Sequence, residues 1–316
     1  MSNNKLYKVY SEYLKEKYKE KVYRIPINLP VTCPNRDGCV ASDGCSFCSE
    51  KAAGFEALSN KISVKEQLEK NIDYIGPRYK AKKYIAYFQN FTNTYLPPAV
   101  FEAYVKEAIR EDVVEISVST RPDSLDERYL DILKMIKEAH DIEITIELGL
   151  QSINHKTLKS INRGHTLAEF IEAANLVKSY GFELVVHMIL NLPYDDEEDI
   201  IEGAKILSAL KVDAVKLHSL YLIKNTPMAD LVESGKLEIC SMDDYIRRTS
   251  LFLAYLSPDI VIHRLLGRAP KEDTIFCNYS TSWWKLKDMI EAYMIANDLY
   301  QGCYFDYLGG KAVRHL

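Results

Sequence analysis

The sequence predicts an α/β fold built around a parallel sheet, and two observations predict it. From about residue 22 to residue 223, strand-like and helix-like segments alternate through six βα units, a rhythm that lays parallel strands side by side with helices on the outer face. The chain has 316 residues, 47% of them hydrophobic, enough for one large domain, or one domain with a modest extension, around a sizeable core. A sheet of this kind carries its working residues at the C-terminal ends of its strands.

Each element follows from local pattern. VYRIPIN (22–28) reads as a short strand, and a cysteine-rich loop follows it. SVKEQLEKNIDYI (63–75) reads as a helix closed by Gly76-Pro77. YIAYFQ (84–89), VVEISVS (113–119), IEITIELGL (142–150), FELVVHMILNLP (182–193) and DAVKLHSLYLI (213–223) read as strands. Between them, PPAVFEAYVKEAIR (97–110), opened by prolines, and LDERYLDILKMIKEAH (125–140) have helical periodicity. TLAEFIEAANLVKSY (166–180) is the cleanest helix, with a capping box of Thr166 and Glu169 and a stop at Gly181. DDEEDIIEGAKILSAL (195–210) begins on acidic residues, which a helix dipole favours; neither this run nor Asp243-Asp244 needs a catalytic role. From about residue 236 the chain reads as helix, short strand (DIVIH, 259–263), loop and helix (283–300). The expected organisation is a basic segment over 1–22, the βα domain over 23–236, and an extension over 237–316 packed on it.

Composition excludes several classes. The formal charge of −5 argues against nucleic-acid binding through bulk charge, though not against a local basic patch. The N-terminal stretch is charged, with no apolar segment of a signal peptide, and no apolar run approaches the length of a bilayer span. The cysteines number 7, an odd count, and four lie in one cluster, which argues against a secreted disulfide framework; a reduced, cytoplasmic location with metal-binding or catalytic thiols is expected.

That cluster is TCPNRDGCVASDGCSFCSE (32–50), with Cys33, Cys39, Cys45 and Cys48. Cys45-Ser-Phe-Cys48 is a tight pair that can grip one metal centre. Three readings stand side by side: structural zinc, although only one such pair is present; a redox CxxC, although no thioredoxin-like surroundings flank it; and an iron–sulfur cluster held by three cysteines with one iron left open. Cys240, Cys277 and Cys303 are far apart and read as buried structural thiols rather than as a second cluster.

A three-cysteine loop directly after the first strand of a βα domain resembles the radical S-adenosylmethionine (SAM) superfamily. The eleven residues between Cys33 and Cys45, with the flanking CPNRDG and GCSFC, depart from that superfamily's usual Cys-x3-Cys-x2-Cys. They resemble instead its YhcC/YtqA-type group, allied to the catalytic subunit of Elongator. AYFQNFTNTY (86–95), ISVSTRPD (116–123), IELGLQS (146–152), INRGHT (161–166), HMILNLP (187–193), KLHSLYLIKNTPM (216–228) and IHRLLGRAPKE (262–272) look like that group's blocks in the same order. No counterpart of the Elongator subunit's acetyltransferase domain is visible.

The resemblance implies a partial (β/α)6 TIM-like radical SAM barrel with a small α/β C-terminal extension. It also implies a [4Fe–4S] cluster held by Cys33, Cys45 and Cys48, and SAM cleaved to a 5′-deoxyadenosyl radical. Cys39 is then surplus, with a swap of Cys39 for Cys33 as the competing assignment. By the same resemblance Phe47 contacts adenine, Gln89 and Thr92 the SAM amine, Glu147 the ribose or amine, and Arg163 the SAM carboxylate, a job that suits a guanidinium. Ser119 and the backbone around Leu222 are further candidates for ribose and adenine. For Glu147 a structural ion pair competes, because a carboxylate inside a barrel is costly unless paired. Arg121, Asp123, His187 and Lys216 lie at or near strand ends and are candidates to face substrate; His187 reads equally well as a satisfied core histidine.

Resemblance points to tRNA as substrate. The expected reaction remodels the C5 side chain of the wobble uridine, one natural step being conversion of carboxymethylaminomethyluridine to aminomethyluridine. An electron donor such as flavodoxin or ferredoxin is implied as partner. Lys5, Lys8, Lys15, Lys17, Lys19, Lys21 and Arg24 near the start, and Arg264, Arg268 and Lys271 followed by Trp283 and Trp284, could hold phosphates and stack on a base. A solvated amphipathic helix and a core tryptophan pair are the structural alternative. A small-molecule or peptide substrate, and a zinc-stabilised RNA-binding module, are the competing functions.

Overall fold

Strands covered on both faces must be almost continuously apolar, and the middle of this chain supplies such runs. In the computed structural model, which describes residues 5–49, 57–270, 273–314 and 316, they become β1 (Val22–Ile27), β2 (Lys83–Phe88), β3 (Val113–Thr120), β4 (Glu143–Gln151), β5 (Glu183–Ile189), β6 (Ala214–His218) and β8 (Val261–Arg264). Ile85, Phe88, Ile116, Val118, Ile144, Ile146, Leu184 and Val186 are fully buried on them. Hydrogen bonding orders these strands β1-β2-β3-β4-β5-β6-β8, the partial (β/α)6 TIM-like fold with one strand added, and β1/β2, β2/β3, β3/β4 and β6/β8 pair in parallel.

The chain divides into two compact units. One comprises Ser11–Leu150 and Arg163–Val186. It holds β1 to β4 with α1 (Tyr10–Tyr18), α2 (Val64–Tyr79), α3 (Pro98–Glu107), α4 (Glu127–His140) and α6 (Leu167–Ser179). The expected capping box of Thr166 and Glu169 opens α6. The other unit comprises the chain up to Tyr10, Gln151–Asn162 and His187–Leu316. It holds α5 (His155–Ser160), α7 (Glu197–Ala209), β6, an antiparallel pair of β7 (Tyr221–Ile223) and β9 (Thr274–Cys277), α8 (Pro227–Glu233), α9 (Met242–Tyr255), β8 and α10 (Trp283–Ala296). Asp196 caps α7 in a reciprocal box with Asp199.

Three segments differ from the sequence reading. Gly76-Pro77 does not end α2, which runs on to Tyr79 and stops at left-handed Lys80. Pro77, lacking an N–H, removes one i→i−4 hydrogen bond from the last turn without ending the helix, and at Gly76 a Cβ would lie 2.8 Å from the Tyr84 hydroxyl. The run 213–223 is not one strand: β6 stops at His218, and Tyr221–Ile223 leaves to pair with β9. The basic start of the chain is partly built into the fold. Lys17 on α1 donates to Glu183 at 2.6 Å and lies 3.6 Å from Glu115, and Arg24 on β1 is paired with Glu147. Neither is available to a polyanion. No helix among the described residues is long and apolar enough to cross a membrane.

Candidate iron–sulfur and SAM site

The eleven-residue gap between Cys33 and Cys45 behaves as a short one. Asp37 and Ser42 form an antiparallel bridge, and the backbone N–H of Gly44 donates to the Asn35 carbonyl at 2.8 Å. The residues between are looped out as a small hairpin, and Cys45 returns to the neighbourhood of Cys33. Cys39 rides on that hairpin and is exposed; its backbone N–H donates to Asp37 at 3.1 Å. Cys39 and Asp37 hydrogen-bond the Tyr95 phenol and push its pKa up. Cys45 is buried, and Cys33 and Cys48 are half-buried. Burial pushes the Cys48 thiol up, Cys45 and Cys33 add to that, and Arg36 opposes it.

Each of these three thiols meets a guanidinium. Arg121 Nη1 is 3.9 Å from Cys33 Sγ, Arg163 Nη1 is 3.6 Å from Cys45 Sγ, and Arg36 Nη2 is 3.6 Å from Cys48 Sγ. Asn35 Nδ2 also donates to Cys45 Sγ at 3.6 Å. Arg36 is fixed by a bond to the Cys48 carbonyl at 2.9 Å and by the Phe91 ring, 5.6 Å from its Cζ. Arg121 follows β3 and is held bidentately by Asp123, at 2.8 and 2.6 Å. Burial works against ionised Asp123, but Arg121, helped by His165 and Arg163, holds its carboxyl below the usual range. Arg163 donates to the Gly149 carbonyl at 2.6 Å and from Nε to His165 Nε2 at 2.9 Å. That Nε2 must therefore accept, which puts the ring proton on Nδ1, 3.2 Å from the Thr166 carbonyl. Burial, with Arg163 and Arg121 nearby, holds His165 neutral, far below the ordinary imidazole value. Gly164, at φ +80°, lets this turn approach the cysteine loop: a Cβ there would lie 2.3 Å from Asn35 Oδ1 and 3.2 Å from Arg121 Nη2.

The C-terminal end of β2 leads into a polar, buried turn. Asn90, Thr92 and Asn93 are at most 5% exposed, yet Asn90 Oδ1, Thr92 Oγ1 and Asn93 Oδ1 have no hydrogen-bond partner. Buried polar atoms are rarely left so; this set is rich in acceptors and fits a donor such as the ammonium of SAM. Ser46 Oγ, between Cys45 and the half-buried Phe47, is likewise buried and unpartnered. Gln89 donates its backbone N–H to the Ile27 carbonyl at 3.1 Å. Glu147 is wholly buried. It accepts from Arg24, from Tyr87 at 3.0 Å, from Ser117 at 3.2 Å and from Ser119 at 3.4 Å. Its Arg24 partner makes it one half of a buried ion pair, and the Ser119 hydroxyl is shared with Tyr87, to which it donates at 3.1 Å.

The remaining expected residues belong to the second unit. His187 on β5 has its ring 5.3 Å from that of His218 on β6, and Lys216, on the same face of β6 as His218, is buried. Arg264 on β8 donates to His218 Nδ1 at 2.8 Å. Leu222 is fully buried on β7. Arg268 lies over the Trp283 ring, 5.0 Å from its centroid, and Trp283 and Trp284 are 39% and 59% exposed, so they are not a core pair. Lys271 lies outside the described residues.

Sequence reasoning did not single out Arg36, Asn35, His165, Gly164, Asn90 or Asn93 for the site. The signal for Gly164 was its place between Arg163 and His165 in NRGHT, where a glycine permits a positive φ. Among the described residues no three His, Cys, Asp or Glu side chains gather around a point fit for a single metal ion. What does assemble, three thiols each facing a cationic donor, suits a thiolate-ligated iron–sulfur cluster.

The family model described as "Radical SAM superfamily" matches residues 27–207, and that described as "Radical_SAM C-terminal domain" matches residues 212–296. Protein YtqA of Bacillus subtilis is 34% identical over 308 residues, covering 97% of this chain and 95% of its own. Protein YhcC of Escherichia coli is 31% identical over 270 residues, covering 85% and 86%. Among solved structures, Elp3 of Methanocaldococcus infernus superposes with a TM-score of 0.65 at 16% identity, over 89% of this chain and 64% of that one, a likeness of fold. The chain therefore belongs to the radical SAM superfamily, whose members use a [4Fe–4S] cluster and S-adenosylmethionine.

Proposed function

We infer that this chain is a cytoplasmic tRNA-modifying enzyme that remodels the C5 side chain of the wobble uridine, converting carboxymethylaminomethyluridine to aminomethyluridine. The observation that carries the chemistry is the separation of the thiols: Cys33, Cys45 and Cys48 each face a guanidinium, while Cys39 is turned away on its hairpin. In this reading those three cysteines hold the [4Fe–4S] cluster. When bound, the cluster and SAM would supply a 5′-deoxyadenosyl radical for hydrogen abstraction from the carboxymethyl methylene, with the electron coming from a flavodoxin- or ferredoxin-type donor; one-electron oxidation of the resulting carbon radical by an acceptor of that same class, then hydrolysis of the imine, would release the arm as glyoxylate and leave the amine.

The chain's own residues do the rest. Thr92 Oγ1, Asn90 Oδ1 and Asn93 Oδ1 accept from the SAM ammonium, with Gln89 beside them. Three of the five N–H groups of Arg163 are committed to Gly149, His165 and Cys45; the other two receive the SAM carboxylate. Phe47 lies against adenine. Glu147 acts one contact back, orienting the Ser119 and Tyr87 hydroxyls toward the ribose. Arg121 and Asp123 fix the floor of the site, and His187 and Lys216 meet the substrate. Support for a tRNA substrate comes from the likeness to Elongator proteins and from Arg268 with Trp283 and Trp284, a cation and two exposed rings able to hold a phosphate and stack a base. The test is mass spectrometry of tRNA nucleosides from cells with and without the gene. Loss should deplete aminomethyluridine-derived wobble nucleosides and accumulate the carboxymethylaminomethyl form; an unchanged profile overturns the substrate.

A further inference from the structure

The three guanidiniums at the thiols differ in how their charge is balanced. Asp123 binds Arg121 through both oxygens, and both side chains are almost fully buried, at 3% and 8% exposure, so Cys33 faces a cation that is largely neutralised. Among the described residues the hydrogen bonds that hold Arg163 come from neutral groups, the Gly149 carbonyl and the His165 ring, and Asp123 acts on it only through space. Arg36 is held by the Cys48 carbonyl and the face of Phe91. Among the described residues neither has a carboxylate bonded to it, and each lies 3.6 Å from a thiol sulfur. Reduction of an iron–sulfur group adds one negative charge and makes or breaks no bond. A fixed cation donating to a ligand sulfur favours the reduced form, and hydrogen bonds to sulfur and net charge are known levers on such potentials.

We propose that Arg36, Arg163 and the Arg121–Asp123 pair are positioning residues that set the reduction potential of the iron–sulfur group. Arg36 and Arg163 raise the potential, and Asp123 mutes the contribution of Arg121. The proposal rests on Cys33, Cys45 and Cys48 being the ligands. Its electron is the one delivered by the flavodoxin- or ferredoxin-type donor. It gives Arg121 and Asp123 a task at the cluster rather than at the substrate, and it gives Arg36 a task where sequence offered none.

The test is an anaerobic redox titration of the full-length chain, reconstituted with iron and sulfide and followed by electron paramagnetic resonance without SAM. Arg36→Gln and Arg163→Gln should each lower the midpoint, by roughly a tenfold change in the reduced-to-oxidised equilibrium, which is about 59 mV for one electron. Arg36→Lys should recover most of that shift. Asp123→Asn should move the midpoint the other way, upward. Opposite signs from Arg36→Gln and Asp123→Asn are something a purely structural role would not produce. Midpoints within error of the native value, or shifts of one sign in every variant, overturn the proposal. If Arg36→Gln or Arg163→Gln fails to retain iron, the near-isosteric Asp123→Asn still decides it: an upward midpoint supports the proposal, and an unchanged or lowered one overturns it. Iron content in Cys33→Ala, Cys45→Ala and Cys48→Ala reports separately on the ligands, so a wrong ligand set is told apart from a wrong role for the arginines.

Discussion

Cys33 and Cys39 are the same residue type six positions apart, and their surroundings separate them. Cys33 faces the Arg121 guanidinium, whereas Cys39 sits on an exposed hairpin beside Asp37. Replacing Cys39 with Ala should leave the iron content at about four per chain and SAM cleavage intact; Cys33→Ala should lose both, by iron assay and 5′-deoxyadenosine release, and the reverse outcome would exchange their roles. The thiols themselves were legible in the sequence because spacing within one loop is a local property. The guanidiniums were not. Arg36, Arg121 and Arg163 come from a loop, the end of β3 and the turn before α6, and only the fold brings them to sulfur. Asn90 and Asn93 were equally hidden, since an unpartnered oxygen shows itself only once burial is known.

Elements were legible where they were long and buried. The parallel strands announced themselves as apolar runs, and α6 and α7 by their caps. Failures came where an element is short. The six-residue α5 has no room for helical periodicity; it stands because Asn154 caps it and because Asp195, just ahead of α7, accepts from Ser152 at 2.9 Å and Thr157 at 2.5 Å. Asp195 also shows what a charge-run reading leaves out: it is buried rather than solvated. Burial raises its pKa from 3.8 to about 6, against the pull of those two hydroxyls. An acid raised on folding keeps a proton the unfolded chain would release. Its contribution is therefore full below about pH 4 and is lost as pH rises through about 6, costing on the order of 3 kcal/mol by neutrality. Denaturation of the native and Asp195→Asn proteins at several pH values should show the native chain losing about that much relative to the variant between pH 4 and 7. A pH-independent gap would mean that Asp195 is compensated by its neighbours.

For the molecule as a whole, a formal charge of −5 means that any polyanion must be held locally. The N-terminal basic residues divide: Lys17 and Arg24 neutralise buried carboxylates, and Lys8 donates to the Asp259 carbonyl at 3.0 Å. One exposed combination of cation and aromatic is Arg268 with Trp283 and Trp284. Trp284→Ala should weaken tRNA binding by about 1–3 kcal/mol. Arg268→Gln should lower the slope of log affinity against log salt by about 1. Fluorescence anisotropy with labelled tRNA at several salt concentrations measures both, and unchanged affinity and slope would move the contact elsewhere. Function was less legible than fold because a substrate pocket has no period of its own.

The first described residues are tied to almost the last. Gln301 donates its backbone N–H to the Leu6 carbonyl at 2.8 Å, its side chain accepts from Lys8 N at 2.9 Å, and Ile262 N donates to the Lys8 carbonyl at 2.8 Å. On a ribosome, Lys8 emerges 293 residues before Gln301. At about 5–20 residues per second, that is a wait of roughly 15 to 60 seconds. For most of that time Tyr7, which ends at 8% exposure bonded to Glu291, is without that partner. Synthesis order thus divides the chain in time: the strands and loop that carry the cysteines can assemble while translation continues, and the seam at Gln301 closes only after Gln301 itself has emerged.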